Sequence, residues 1–306
     1  MRTGQPTGPP SETTPSMRTI SLCALALSSG WLFAQGAGPE AAAPAAPPVR
    51  TQVVMGSPED PDRVGNLPRL FLEDVKHVAT APARWERSDW LTLGASVAAV
   101  VGTGFLFDQS ADDYMKKHAT PSWDRTAKAL ENLGGAGSVV IAGGTYLTGI
   151  ALKDPEVRAT GIDTMATMGV AQLLLTLPLK VAVGRSRPEE EKGTHDFHPF
   201  HGGQSFPSGH TTQAFALASV ISEHADRTWV SCVSYGLAGL VGVARMEQRA
   251  HFMSDVVAGG LIGTFVGKSV VAFNESVRTK ASSKVTLSFA PALQPGGYGV
   301  SVAMKF

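Results

Sequence analysis

Six stretches almost free of charge constrain this chain more than any other feature. They run over residues 90–107, 133–152, 164–179, 211–222, 228–244 and 256–273, the last interrupted by Lys268. Apolar runs of this length read as helices, which gives six. The second is long enough to cross a bilayer and the first is borderline, while the fourth and sixth fall short of the roughly 20 apolar residues a span requires. Only 17% of residues are charged and 33 are glycine, a bias toward closely packed helices in or near a membrane. Lys+Arg and Asp+Glu both total 26, so no net basic field points to nucleic acid as a partner.

The two ends have a different texture. Residues 1–16 are rich in Pro, Thr, Gly and Ser; Met17 and Arg18 then lead into an apolar run ending at Ala34. This pattern reads as a leader and secretory signal peptide over residues 1–34. Cys23 lacks a small residue before it, so it is not a lipoprotein site, and Cys232 is the only other cysteine, so no disulfide framework is available. A Pro/Ala-rich linker is expected over 35–66. Leu70, Phe71, Val75 and Val78 then fall on one side of a short helix that Pro82 stops, suited to an apolar surface or to ordinary packing. Past Lys284 the period becomes two: Val285, Leu287 and Phe289 before Gln-Pro-Gly-Gly, then Tyr298, Val300, Val302, Met304 and Phe306. That is a β-hairpin pattern. The expected architecture is an all-α, six-helix bundle over 67–275 with a short C-terminal β-hairpin over 276–306.

Three short motifs carry chemistry. Lys180 is followed after six residues by Arg187-Pro188, where an apolar run ends, so two cations leave it together and can converge on one anion. Ser205-Phe206-Pro207-Ser208-Gly209-His210 stands immediately before the run at Thr211. Its Ser and Pro describe a helix N-terminus whose free N–H groups suit phosphate, Gly209 lets an oxygen approach the backbone, and His210 sits where it can donate a proton. Third, Arg245 precedes His251 by five intervening residues, and Asp255 follows four positions later, one helical turn on. A carboxylate there can keep one ring nitrogen protonated and free the other as a nucleophile.

In this order and spacing, Lys180-x6-Arg187-Pro188, Pro207-Ser208-Gly209-His210 and Arg245-x5-His251-x3-Asp255 resemble the superfamily uniting type 2 phosphatidic acid phosphatases with vanadium haloperoxidases. Ala244 departs from it, since the family usually has Ser there. The resemblance implies an all-α bundle of that type and a metal-independent hydrolase of phosphomonoesters or diphosphates, with no cofactor. It assigns His251 as nucleophile, Asp255 as its orienting partner and His210 as general acid, then base. Lys180, Arg187, Arg245, the Ser208 hydroxyl and the Gly209 backbone would hold the phosphate oxygens. The implied partner is a phosphorylated lipid or small phosphoester, with membrane association in a bacterial cell envelope, on its extracytoplasmic side. A vanadate-dependent haloperoxidase, or an envelope module that only binds phosphorylated lipids, are the alternatives.

Two neighbouring features stay open at this level. His195, Asp196, His198 and His201 form a dense patch that suits either a transition metal or a polar loop over the pocket. Arg185 reads as a helper for a second phosphate or as a solvated charge.

Overall fold

The structure, a computed structural model, describes residues 55, 57, 60–282, 286–294 and 297–305. The expected leader and signal peptide, and most of the expected linker, lie outside the described residues. Among the described residues nine α-helices follow one another: α1 Leu67–Ala79, α2 Arg87–His118, α3 Pro121–Gly134, α4 Ala136–Leu152, α5 Pro155–Val170, α6 Leu177–Val183, α7 Gly209–Ala225, α8 Thr228–Glu247 and α9 Met253–Ser282.

All six uncharged runs fall on helices, yet the described residues hold nine helices where six were expected. One addition is α3, too polar to register as an apolar run. Its start is nonetheless written locally, because Thr120 Oγ1 accepts from the Trp123 N–H at 3.2 Å and Pro121 opens the first turn. Another is the split of the run over 164–179 by a π-helical turn, Ala171–Thr176. Pro178 follows that turn and has no N–H to give to a preceding carbonyl, a common cause of a local change in helical pitch. The last is α1, whose Phe71, Val75 and Val78 pack against Ala166, Val170, Ala171, Val266 and Val270 of the bundle. It is therefore a packing helix, the second of the two roles open to it from sequence.

Helix α7 lies at the centre of the bundle, against α9, α8, α5 and α3. Its closest partner is α9, and the reason is a glycine at every fourth position. A Cβ on Gly259 would stand 2.6 Å from the Ser208 carbonyl oxygen, one on Gly263 2.4 Å from the Thr212 carbonyl oxygen, and one on Gly267 2.7 Å from Ser219 Oγ. The stripe lets two helix backbones approach as larger residues would forbid. It also fixes the N-termini of α7 and α9 side by side, since the Ser208 N–H donates to the Asp255 carbonyl at 3.0 Å.

At the opposite ends of these helices, buried Asp163 of α5 accepts from Asn274 Nδ2 at 2.9 Å and from Arg278 at 2.7 and 2.8 Å, and lies 2.9 Å from His224 Nε2. Arg278 also grips Asp62, and Arg158 pairs with Asp60 through two bonds of 2.9 and 3.0 Å. Two boundaries expected from sequence move as a result. Folded structure reaches back to Asp60, inside the stretch expected to be linker, because these carboxylates supply the partners of buried arginines. At the other end α9 runs past residue 275 to Ser282, its last turns held by Arg278. Beyond it, Thr286–Gln294 (β1) and Gly297–Lys305 (β2) pair antiparallel, from Thr286 opposite Lys305 to Gln294 opposite Gly297.

Four stretches, α2, α5 through α6, α8 and α9, are long and apolar enough to cross a membrane, and α3 with α4, bent by 45° at their junction, form a fifth candidate.

Candidate active site

Lys180 lies in the last turn of α6, which ends at Gly184 in the left-handed conformation (φ 58°). Only glycine fits: a Cβ there would stand 2.0 Å from the His198 carbonyl oxygen. The chain turns back at this point and brings Arg187 beside Lys180. Helix α8 delivers Arg245 in its final turn, α7 opens with Gly209 and His210, and the short turn between α8 and α9 holds His251.

These six residues line one cavity of about 440 Å³, together with Gly134, Gly135, Ala136, Val139, Gln172, Gln204 and Gln213. Three motifs spread over more than 70 residues of chain thus meet, with three cations and two imidazoles around one space. The Lys180 ammonium donates to the Gln204 carbonyl.

His251 is 4% exposed, and its Nδ1 lies 2.6 Å from the Ser205 carbonyl oxygen. A carbonyl only accepts, so that contact places the proton on Nδ1 and leaves Nε2 unprotonated. Burial, and then the positive charges of Lys180 and Arg245, hold the ring's pKa well below 6.5, so it is neutral at neutral pH. His210 is likewise shifted down, by burial first and Arg245 second, with Glu131 pulling the other way.

Two residues assigned to the site by resemblance sit behind the cavity wall. The Ser208 hydroxyl accepts from Thr211 Oγ1 at 2.9 Å and caps α7, so it is fully buried and does not face the cavity. The motif's serine that caps the helix is Ser208. Asp255 is also fully buried, and its Oδ2 stands 4.0 Å from His251 Nδ1, beyond hydrogen-bonding distance. Being third in α9, its carboxylate turns back to accept the Phe252 N–H at 2.8 Å, a helix-start contact that competes for the same oxygen. The direct carboxylate–imidazole bond expected from the four-residue spacing is absent.

Arg185 differs from both of its sequence readings. It is 4% exposed and bonds Asp255, Asp108 and Ser254, with its guanidinium 4.1 Å from the Phe252 ring centre. In the histidine-rich patch, Asp196 accepts from Ser186 Oγ at 2.6 Å and lies 3.0 Å from His198 Nε2, and among the described residues no group of three or more potential ligands gathers around a point.

Glu131 carries no motif that marks it in the sequence, yet its Oε1 is 2.5 Å from Arg245 Nη1 and 3.6 Å from His210 Nε2. Gln172, in the π-helical turn, donates to the Gly209 carbonyl at 3.1 Å, and Gln213 accepts from Ser138 Oγ at 3.2 Å. Among these, Gln172 and Gln213 had a sequence signal, each being a lone amide within an otherwise uncharged run.

A cavity of this size at one end of a helical bundle, walled by three cations and two imidazoles, has the charge and the hydrogen-bond donors to receive a phosphate group or a close mimic. The family model of the PAP2 superfamily matches residues 162–278. It is 36% identical over 91 residues to a "Lipid A 1-phosphatase" of Porphyromonas gingivalis, covering 29% of this chain and 18% of that protein. A "Lipid A 1-phosphatase" of Rhizobium etli is 35% identical over 111 residues (34% and 45%), and a "Probable lipid phosphate phosphatase 4" of Arabidopsis thaliana 31% over 120 (29% and 39%). The chain spans less than half the length of each of these relatives. Among solved structures, Aquifex aeolicus LpxE aligns over 54% of this chain and 94% of its own at 23% identity and a TM-score of 0.42. A PAP2-type phosphatidylglycerolphosphate phosphatase of Bacillus subtilis aligns over 69% and 96% at 22% identity and a TM-score of 0.43.

Proposed function

We propose that this protein hydrolyses a phosphate monoester or diphosphate carried by a lipid, through a phosphohistidine at His251. The observation that carries this reading is the convergence of Lys180, Arg187, Arg245, Gly209, His210 and His251 on one cavity. In the first step Nε2 of His251 attacks phosphorus, the P–O bond to the leaving group breaks, and His210 gives that oxygen a proton. In the second, His210 takes a proton from water, the hydroxide attacks phosphorus, and the P–N bond breaks to release phosphate and neutral His251. Lys180, Arg187 and Arg245, with the backbone at Gly209, hold the three equatorial oxygens, where charge compensation does most of the catalytic work in phosphoryl transfer. Burial first, and then the same cations, depress both imidazoles, so a bound dianion that offsets those charges raises both pKa values. That makes His210 able to carry the proton it must donate only once substrate is present.

The lipid part of the proposal draws on the names of the relatives and on the apolar helices. A bacterial envelope location with the cavity on the extracytoplasmic side belongs to the same reading. Carbonate extraction with protease accessibility in spheroplasts checks it: a protein whose residues 184–208 stay shielded from external protease sinks the location.

Phosphate release from phosphatidate, an isoprenoid diphosphate, lipid A and a soluble phosphoester, with and without chelator, tests the activity. Release that survives chelation, is inhibited by vanadate and disappears in His251→Gln is expected. Binding without release from every substrate favours a binding module instead, and peroxide-dependent bromination by vanadate-loaded protein favours a haloperoxidase.

A further inference from the structure

Ser205 spends every polar group it has on the site. Its N–H donates to the Arg185 carbonyl at 3.0 Å, its hydroxyl donates to Asp255 Oδ2 at 2.5 Å, and its own carbonyl accepts from His251 Nδ1 at 2.6 Å. The residue is fully buried. Behind it, Asp255 Oδ1 accepts from Arg185 Nη1 at 2.6 Å, Arg185 Nη2 donates to Asp108 Oδ2 at 2.7 Å, and Asp108 Oδ1 accepts the Ser254 N–H at 2.8 Å. None of Asp108, Arg185 and Asp255 is more than 4% exposed. A short hydroxyl-to-carboxylate bond in such surroundings is of the strong, charge-assisted kind and holds its partners in one geometry.

We infer that Ser205 is the positioning residue through which Asp255 acts on His251, with Arg185 and Asp108 locking that carboxylate from behind. The carboxylate fixes the serine hydroxyl, the fixed serine sets the direction of its own carbonyl, and the carbonyl sets the tautomer and tilt of the imidazole. The inference rests on the reading of His251 as nucleophile for its kinetic consequences, though not for its structural ones. Arg185 fits the role because its planar fork reaches two carboxylates at once, which a lysine ammonium does poorly.

The test compares Ser205→Ala, Asp255→Asn and the double variant, with Ser205→Thr as the variant that keeps the hydroxyl. If Asp255 works through Ser205, the two losses do not multiply: Ser205→Ala lowers kcat by about 10- to 100-fold with KM little changed, and adding it to Asp255→Asn costs no more than twofold further. Ser205→Thr restores most of the activity. The second readout needs no turnover. In resting protein with labelled histidine, the Nδ1 proton resonance that His251→Gln removes should shift or broaden in Ser205→Ala and return in Ser205→Thr. Multiplicative losses, or an unaltered resonance together with wild-type kcat in Ser205→Ala, overturn the inference. If His251→Gln keeps its activity, the nucleophile assignment fails by itself, and the resonance still decides whether the serine link exists. Thermal unfolding of each variant separates a lost link from a lost fold.

Discussion

Arg245 enters the cavity already paired, with its Nη1 2.5 Å from Oε1 of Glu131. The same oxygen is 3.6 Å from His210 Nε2, so one carboxylate of α3 touches both a cation of the cradle and the neighbouring imidazole. It occupies a guanidinium that phosphate would otherwise have to itself, and it counters the cations that push the His210 pKa down.

Glu131→Gln removes both effects. Vanadate should bind tighter, by about three- to tenfold, as Arg245 is released from its ion pair. The pKa of His210 falls further, so the basic limb of kcat, where His210 must hold a proton, moves to lower pH. A pH–rate series on the variant checks the direction, and an unmoved limb counts against Glu131 setting the protonation of His210.

For His251 the sign is opposite. Its folded pKa lies well below 6.5, so the nucleophile stays available as pH drops through that value, and the acid limb of kcat/KM lies lower still. Lys180 is the largest charged contributor to the depression. Lys180→Met should therefore move the acid limb upward toward 6.5, while lowering kcat/KM by about 30-fold or more through a phosphate oxygen left without its cation.

How much of this was open to a reader of the sequence divides along a physical line. Lys180, Arg187, Gly209, His210, Arg245 and His251 were legible because their spacings state how close they are in the chain and which helix ends they occupy. Ser208 and Asp255 were legible as residues but not as geometry: spacing puts Asp255 one turn from His251, and only the competing bonds to Phe252, Ser205 and Arg185 show where its oxygens go. Glu131 and Asp108 gave no signal, since each meets its partner across more than 70 residues, and a single acid on a helix looks like any solvated one. In the fold, the apolar runs marked α2, α4, α5, α7, α8 and α9, and α3 escaped because charged and polar side chains interrupt its apolar positions.

The glycine stripe on α9 gives a stability test. A Cβ at position 263 would lie 2.4 Å from the Thr212 carbonyl oxygen and 2.7 Å from the Ala216 nitrogen, both backbone atoms that cannot swing away. Gly263→Ala should cost about 1–3 kcal/mol and lower the midpoint of thermal unfolding, whereas Gly143→Ala on α4, where nothing lies within 4 Å of the new carbon, should be neutral or stabilising.

Asp74 offers a test through pH. The residue is fully buried on α1, and burial, aided by the charge of Asp163 and opposed by Asn274 and Arg278, raises its pKa to about 7. The folded protein thus keeps a proton that the unfolded chain gives up above 3.8, so the stabilisation this proton represents is present at low pH and lost as pH rises through about 7. Asp74→Asn should be more stable than the wild type at pH 8, with the advantage shrinking as pH falls, by on the order of 1 kcal/mol per pH unit across that window. Unfolding midpoints that differ by the same amount at pH 5 and pH 8 would contradict the assignment.

The clasp of Asp60 on Arg158 and of Asp62 on Arg278 has a practical corollary for anyone shortening the protein. A version trimmed to the first residue of α1 strips a buried guanidinium of its counter-charge, a loss of about 3–5 kcal/mol when one member of such a pair is removed. Expression should start upstream of Asp60, even though everything before Leu67 reads as dispensable tail.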